Sequence, residues 1–455
     1  MSRHTLICRL GTKDGSAVKP FWRDAVVSEV NFLDLLGELD YGLGHALDKL
    51  GRLGLRPDVN ALDLLLLASM IFAADSRIPR KAEAQDGWTR EIHINLPVAN
   101  LAAWDSAREL LAGALRFLTG DIWHFTFRHR PKELEPLLKP VQGELRIFQC
   151  VSLFSGGLDS YIGAIDLLKK GMQPLFVSHY LPHTSKEQVQ CIEHLQGKYG
   201  EDSMEFFRAN IGFDSSLLKV FGKNGKYPTE NTERSRSFLF FSLAALAASS
   251  FGNPTKIFVP ENGLIALNVP LDWLRIGALS TRTTHPFYMA RFNDLLHILG
   301  IKAKLENPYR HQTKGEMIQQ SGDKEFIRET FKDTMSCSSP SKYRQIGESR
   351  MHCGHCVPCL IRRAAVKAAF ERDHTQYARK LSGVLNSSKA VGEHVRSFQL
   401  AFAKLNASPK YSTVAVRIPG PLNDVENEFK YLVSVFERGM AEVSALLKTA
   451  KTRPS

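Results

Sequence analysis

The segment Phe154-Ser-Gly-Gly-Leu-Asp-Ser160 constrains this chain more than any other, because it dictates what must stand on either side of it. Before it, Ile147 to Phe154 reads as a buried strand; after it, Asp159 to Lys170 reads as a helix closed by Gly171. Two adjacent glycines carry no Cβ, so consecutive backbone N–H groups can point into one space, and the helix start adds a positive dipole end. Ser155 and Ser160 set hydroxyl donors beside the amides of Gly156, Gly157 and Leu158. That is the chemistry of a phosphate cradle. Asp159 alone also fits an ordinary N-cap, and a bare Gly-Gly turn says little. The whole string, placed after a strand, is what is specific.

The strand–helix alternation continues. Leu175 to His179, Glu205 to Ala209 and Lys256 to Pro260 read as strands, with helices at Lys186 to Tyr199 and Arg236 to Ser250 between them. The second of these helices is nearly all apolar and must be buried. Such alternation predicts an α/β domain with a parallel sheet, over 147–371. The flanks differ. Residues 1–146 show helical periodicity at Leu33 to Leu50 and Leu62 to Phe72, then an alternating run at Glu91 to Pro97. A helix from about Trp104 to Leu118 and a strand-like Ile122 to Phe127 follow, which predicts an N-terminal α+β domain. Glu133 to Gly143 reads as a linker. Residues 372–455 read as a C-terminal helical extension, with helices at Val391 to Leu405 and Val425 to Lys448.

Four of the seven cysteines form C-x15-C-x2-C-x2-C at Cys337, Cys353, Cys356 and Cys359. Thiolates two residues apart reach one ion from a tight turn, for which Gly354 and Pro358 are suited, so one structural Zn²⁺ is expected. An iron–sulfur cluster is the rival, since three cysteines spaced by two also open a ferredoxin pattern, but its fourth cysteine and proline are missing after Cys359. His352 and His355 are substitute ligands to weigh. Cys8, Cys150 and Cys191 read as buried apolar residues.

Lys plus Arg is 59 against 47 Asp plus Glu, a net charge of +12 that favours an anionic partner, phosphate or nucleic acid. No basic run with interleaved aromatics stands out, so nucleic acid is the less favoured of the two. The apolar stretches Ala61 to Ala74 and Ser237 to Phe251 fall short of the roughly 20 residues of a membrane span, so no membrane partner is expected. No apolar signal segment precedes Lys13, and the expectation is a cytoplasmic protein with reduced thiols.

The S-G-G-x-D-S string resembles the pyrophosphate loop of the ATP pyrophosphatase (PP-loop) superfamily. The resemblance implies a PP-loop sheet, cleavage of ATP between its α and β phosphates, and transfer of AMP to a carbonyl or carboxyl oxygen before a nucleophile displaces it. Mg²⁺ would share the charge of the leaving pyrophosphate. In that superfamily the end of the second strand frames adenine, which points here to Val177, Ser178 and His179, though His179 reads equally as a polar strand end. Arg234, Arg236 and Lys314 become candidates for phosphate charge. The bland alternatives are a solvated helix start for the arginines and an ordinary first-turn lysine.

With the ending Cys353-Gly-His-Cys356-Val-Pro-Cys359-Leu-Ile-Arg362, the chain resembles the QueC family, the 7-cyano-7-deazaguanine synthases, over about 148–370. Looser matches are Arg234-Ser-Arg-Ser-Phe-Leu, Glu261-Asn-Gly and Thr313-Lys-Gly-Glu-Met after Asn307-Pro-Tyr. Family enzymes adenylate the carboxylate of 7-carboxy-7-deazaguanine, add ammonia to give the amide, and activate again to give the nitrile. This chain is about twice the family's usual length and lacks its Asp-Tyr-Ser-Gly-Tyr-Pro-Asp substrate loop. Glu261-Asn-Gly-Leu-Ile-Ala-Leu-Asn268 and Ser280-Thr-Arg-Thr-Thr-His-Pro286 stand there instead. That departure is similar to the QueC-like proteins of bacterial antiphage operons, the QatC type. It implies a deazaguanine small molecule as substrate, an operon-encoded protein partner as candidate acceptor, and Glu261, Asn262, Asn268, Arg282, Thr284 and His285 as the base and carboxylate pocket. Two other functions remain open: tRNA base modification of the thiolation or lysidine type, and a nonenzymatic ATP-sensing scaffold.

Overall fold

The computed structural model describes residues 2–453 except 85, 132–136, 139–140, 142, 181–184, 221–229, 231, 273–281, 339–350, 371, 382–383 and 409. Most of the expected linker, and Ser280 of the expected substrate loop, lie outside the described residues.

The first 130 residues run β1 (His4–Arg9), β2 (Val26–Asn31), α1 (Leu43–Arg52), α2 (Val59–Arg77), α3 (Arg80–Glu83), β3 (Glu91–Val98), α4 (Leu101–Thr119) and β4 (Ile122–His129). The four strands pair in the order β2-β1-β3-β4, and every pairing is parallel. This corrects the α+β expectation: the block is a parallel α/β layer. The predicted helix over Leu33 to Leu50 is also shorter, beginning at Leu43. Leu35 and Leu36 stand fully out in solvent, at 100% and 87% exposure, in a turn that Asp34 Oδ1 holds by accepting from Leu36 N and Glu38 N. Helix α2 starts at Asp58, whose side chain accepts from Asn60 N, and it is apolar all round. Its 19 residues exceed the stretch seen in sequence. Among the described residues it alone is long and apolar enough to cross a membrane, and 89% of its apolar window is buried inside the protein.

The second block runs β5 (Cys150–Leu153), α5 (Leu158–Lys169), β6 (Pro174–His179), α6 (Ser185–Tyr199), β7 (Glu205–Ala209), α7 (Arg236–Ser249), β8 (Thr255–Phe258), α8 (Gly263–Leu267), α9 (Pro286–Ile298), β9 (Ala303–Glu306), α10 (Lys314–Gln320), α11 (Lys324–Thr330) and α12 (Val357–Ala369). Its five strands pair in parallel in the order β7-β6-β5-β8-β9. The chain winds outward from β5 in one direction, then returns to β8 on the other side. The strand order therefore reverses between β5 and β8, and the crevice beyond their carboxyl ends is where such sheets bind ligands.

Alternate residues of β5 serve two cores. Val151 and Leu153 face a large core that also takes Leu6 and Cys8 of β1, Ile92 and Ile94 of β3, and most of α2, α4, α7 and α9. Those four helices lie between the two sheets, so the N-terminal block and the loop-bearing sheet share one interior. Cys150 and Phe154 face a second core made with α5, α6, α10, α11 and α12. The last block contains β10 (Val384–Asn386), α13 (Ala390–Ala407), α14 (Tyr411–Ala415), α15 (Phe429–Leu447) and β11 (Lys451–Arg453). It is not purely helical as expected, because β10 and β11 pair in parallel and clasp its two ends. Helix α15 packs on α8 and α12 in a third core.

Candidate active site

The loop Phe154–Ser160 lies at the carboxyl end of β5, at the strand-order reversal. Gly156 takes φ +78°, and a Cβ there would meet Gln188 of α6 at 3.0 Å, so both backbone and space require glycine. The loop closes on its own hydroxyls. Ser160 Oγ accepts from Ser155 N at 3.2 Å and donates to Gly157 O at 2.9 Å, while Ser155 Oγ accepts from Gly157 N at 3.2 Å. A second strap crosses it: Met335 N donates to Gly156 O at 2.9 Å and Ser336 Oγ accepts from Leu158 N at 3.4 Å. Arg362, fully buried, holds that strap by donating to Thr334 Oγ1 and Ser336 Oγ.

Asp159 does not cap α5; the N-cap is Gly157. Its carboxylate turns into the crevice, where Oδ1 lies 2.8 Å from Lys314 Nζ and Oδ2 accepts from Asn262 Nδ2 at 2.7 Å. Burial would raise the Asp159 pKa, but the Lys314 ammonium and the bonds from Glu261, Lys314 and Asn262 outweigh it and hold it at about 2. Glu261 goes the other way. Burial, then the Asp159 charge, push its carboxyl well above the usual range. Two carboxyl groups next to a phosphate loop offer the oxygen donors that a hard divalent cation takes, and this donor set fits Mg²⁺.

Lys314 is the first residue of α10, opened by a capping box between Thr313 and Glu316. Asn262 is the N-cap of α8. Both starts are braced by α15. Glu442 accepts from Thr313 Oγ1 and lies where a Cβ at Gly315 would be, 2.5 Å from its Oε1. Arg438 pairs with Glu316 at 2.6 Å and donates to His311 O at 2.7 Å. Burial pushes the Glu442 carboxyl up. Glu442, Arg438, Ser336 and Gln188 were not visible as site residues in the sequence, since no motif contains them.

The remaining candidates divide. Val177 O accepts from Phe154 N at 2.8 Å and Ser178 Oγ donates to Phe154 O, so the end of β6 fixes the entry to the loop. His179 is buried, donates from Nε2 to Ile211 O at 2.9 Å and sits between Phe72 and Phe240; burial and Arg236 lower its pKa to about 4. Arg234 and Arg282 are committed to the carbonyl end of α4, donating to Thr119 O at 2.8 Å and Phe117 O at 3.1 Å, where a helix dipole favours cations. Arg234 also covers Trp88 at 4.1 Å, and Ser235 N donates to Asp75 of α2. Arg236 lies 3.9 Å from Glu233. Thr284 is buried, and His285 caps α9 through Nδ1 with its ring on Phe117. Asn268 sits at the far end of α8 with φ +49°.

The sulfurs of Cys337, Cys353, Cys356 and Cys359 all lie within 4.8 Å of one another. The Cys353 and Cys359 sulfurs are 3.8 Å apart, the edge of a tetrahedron with Zn–S near ~2.3 Å. Cys353 Sγ accepts from the backbone N–H of His355 and Cys356, bonds that stabilise a thiolate. Four sulfurs this close leave room for one ion and none for an iron–sulfur cube. His352 is used otherwise, accepting from Ser336 N at 3.2 Å, which ties the knuckle to the strap over the loop.

No family model matches the chain. Among curated proteins, the 7-cyano-7-deazaguanine synthase of Methanocaldococcus jannaschii is 22% identical over 254 residues, 50% of this chain and 99% of that enzyme. The synthase of Coxiella burnetii is 23% identical over 255 residues, 51% of this chain and 99% of its own length. That of Saccharolobus solfataricus is 24% identical over 255 residues, 52% of this chain and 49% of that protein. Over half of its length, then, this chain is distantly similar to 7-cyano-7-deazaguanine synthases.

Proposed function

We propose that the chain is a PP-loop enzyme that adenylates a 7-deazaguanine carboxylate with ATP and passes the acyl group to a nitrogen nucleophile. The observation that carries this reading is the constellation of Asp159, Glu261, Asn262 and Lys314 beside the glycine loop at the sheet's reversal point. A substrate carboxylate oxygen attacks the α-phosphorus and pyrophosphate leaves. The loop amides and Lys314 then take up the charge of the leaving group, which is greatest in the transition state. Mg²⁺, held by Asp159 and Glu261, would supply further charge neutralisation. Ammonia attacking the acyl adenylate displaces AMP and leaves the amide; activation of the amide oxygen by a second ATP and loss of AMP leaves the nitrile. The test is release of pyrophosphate from ATP that depends on 7-carboxy-7-deazaguanine and is lost in Asp159→Asn. Release of ADP and orthophosphate would defeat the reading.

We further propose an antiphage setting of the QatC type, in which the acceptor is an amine of an operon-encoded partner protein. Its support is that about half of the chain lies outside the match to synthases whose own length that match covers almost entirely. Intact-mass spectrometry of partners co-expressed with wild type and with Asp159→Asn tests it. A loop-dependent mass gain of one deazaguanine acyl group is expected; unmodified partners alongside free amide or nitrile base would reject it.

A further inference from the structure

Arg208 is the penultimate residue of β7, at the carboxyl end of the sheet that faces the crevice. It pairs in register with Ser178 of β6, whose hydroxyl donates to Phe154 O at the entry to the loop. Two strand spacings, roughly 10 Å, separate its backbone from β5. One amide bridges what the arginine side chain leaves of that gap. Gln188 of α6, 3% exposed, donates from Nε2 to Ser155 O at 3.3 Å and accepts at Oε1 from Arg208 Nη2 at 3.4 Å.

The rest of the guanidinium is unclaimed. It lies over the Tyr180 ring, 4.8 Å from the centroid, a stacking that leaves the donors of its planar fork pointing edgewise. Its Nε is buried and has no hydrogen-bond partner among the described residues. Lys49 of α1 approaches from the N-terminal block and donates from Nζ to Arg208 O at 2.7 Å. Burial lowers the pKa of both side chains, and among the described residues neither has a carboxylate that opposes the shift. Two neighbouring, half-buried cations are thus left without a counter-charge. Such an arrangement costs stability, a cost that binding sites carry for the anion they take up.

Two features indicate which anion. The bridge through Gln188 ends on the loop, where the backbone amides already converge. Arg208 also stands on the β7 flank of the loop, while Asp159 and Lys314 meet Asn262 on the β8 flank. An anion between the flanks meets amides on one side and an arginine fork on the other, which suits a phosphate group. We infer that Arg208 binds a phosphate of the nucleotide held by the loop, its fork replacing the long bond to Gln188 with bonds to two phosphate oxygens. The choice of a nucleotide rests on the reading given under Proposed function.

Calorimetric titration of the full chain with adenosine, AMP and inorganic pyrophosphate tests the inference. Arg208→Gln should weaken AMP or pyrophosphate at least tenfold, the loss of a charge-assisted hydrogen bond, while adenosine changes less than twofold. A loss confined to AMP puts the fork on the α phosphate; one confined to pyrophosphate puts it on the leaving group. Arg208→Lys, which keeps the charge without the fork, should fall in between. Because the arginine lacks a counter-charge, Arg208→Gln should not lower the Tm of the ligand-free protein. A lowered Tm with equal losses for all three probes would make Arg208 structural and overturn the inference. Unchanged AMP and pyrophosphate binding, or a wild type that binds neither, overturns it as well. Pyrophosphate release from ATP separates the two readings. Weakened phosphate binding in Arg208→Gln with no release by wild type keeps the phosphate site and rejects adenylation. Release by wild type with unchanged phosphate binding in the variant does the reverse.

Discussion

Lys314 Nζ lies 2.8 Å from Asp159 Oδ1, and the two residues stand in the first turns of α10 and α5. A carboxylate is favoured at a helix N-terminus and an ammonium is disfavoured there. Lys314 is therefore held in place by Asp159 against the dipole of its own helix, and an arriving polyphosphate offers it a better partner.

Removing that ammonium should be costly in two ways. Lys314→Met leaves Asp159 buried without its cation, a change worth roughly 3–5 kcal/mol when a buried pair is broken. Urea unfolding should show that loss in the ligand-free protein. Pyrophosphate release should fall on the order of 10²–10³-fold, the range for deleting one charge-stabilising donor. Stability unchanged in Lys314→Met would mean that the pair does not form.

Acid sensitivity follows from two buried imidazoles. Burial, then Arg282, lowers the His285 pKa to about 3; burial, then Arg236, lowers that of His179 to about 4. Both are neutral in the fold, while the unfolded chain takes up protons below about pH 6.5. Stability is therefore fully present above pH 6.5 and declines as pH falls toward 4, by up to ~1.4 kcal/mol per pH unit for each histidine. Thermal unfolding at pH 7 and pH 5 should show the decline. His179→Gln should remove about one proton's share of the slope, and a slope equal to wild type would contradict the assignment.

Elemental analysis should find one zinc per chain. Chelation, or Cys356→Ser, should lower stability by at least ~2 kcal/mol, about 2 °C in Tm for a cooperative unit of this size, because a structural ion contributes folding energy directly. Iron in the sample, or visible absorption, would mean that the four thiolates hold iron in place of zinc.

The brace from α15 gives a prediction far from any motif. Gly315→Ala places a methyl group against the Glu442 carboxyl, and Glu442→Ala removes the acceptor of Thr313. Each should shift the start of α10, and with it Lys314. A displacement of that kind costs up to ~10²-fold in turnover while substrate binding changes far less. A loss of turnover that only matches the fraction unfolded, measured by circular dichroism at the assay temperature, would instead indicate general unfolding.

The loop was legible because its parts are consecutive: the strand, the glycines, both serines and Asp159 fall within one short string. Lys314 was visible as a residue and not as a neighbour, since tertiary contact alone brings it to Asp159. The surroundings of Arg234 and Arg282 are likewise hidden from the sequence. Their acceptors are the backbone oxygens of Thr119 and Phe117, which no side-chain pattern displays. Strands β1, β2 and β9 escaped for related reasons. His4 to Cys8 are all buried, so no alternation appears, and Leu305 is the sole core residue of β9. Parallel pairing in the N-terminal sheet is likewise absent from local sequence, because crossovers set it.

Because α2 is covered on its far side by α7, its final environment does not exist when it is made. Helix α2 ends at Arg77, and α7 ends at Ser249. At ribosomal speeds of roughly 5–20 residues per second, an all-round apolar helix must wait on the order of 10–35 s for its cover to be synthesised. During that interval the nascent chain offers a surface that holdase chaperones bind. Cutting the protein after residue 146 would make the exposure permanent, so neither half is a separable module for expression.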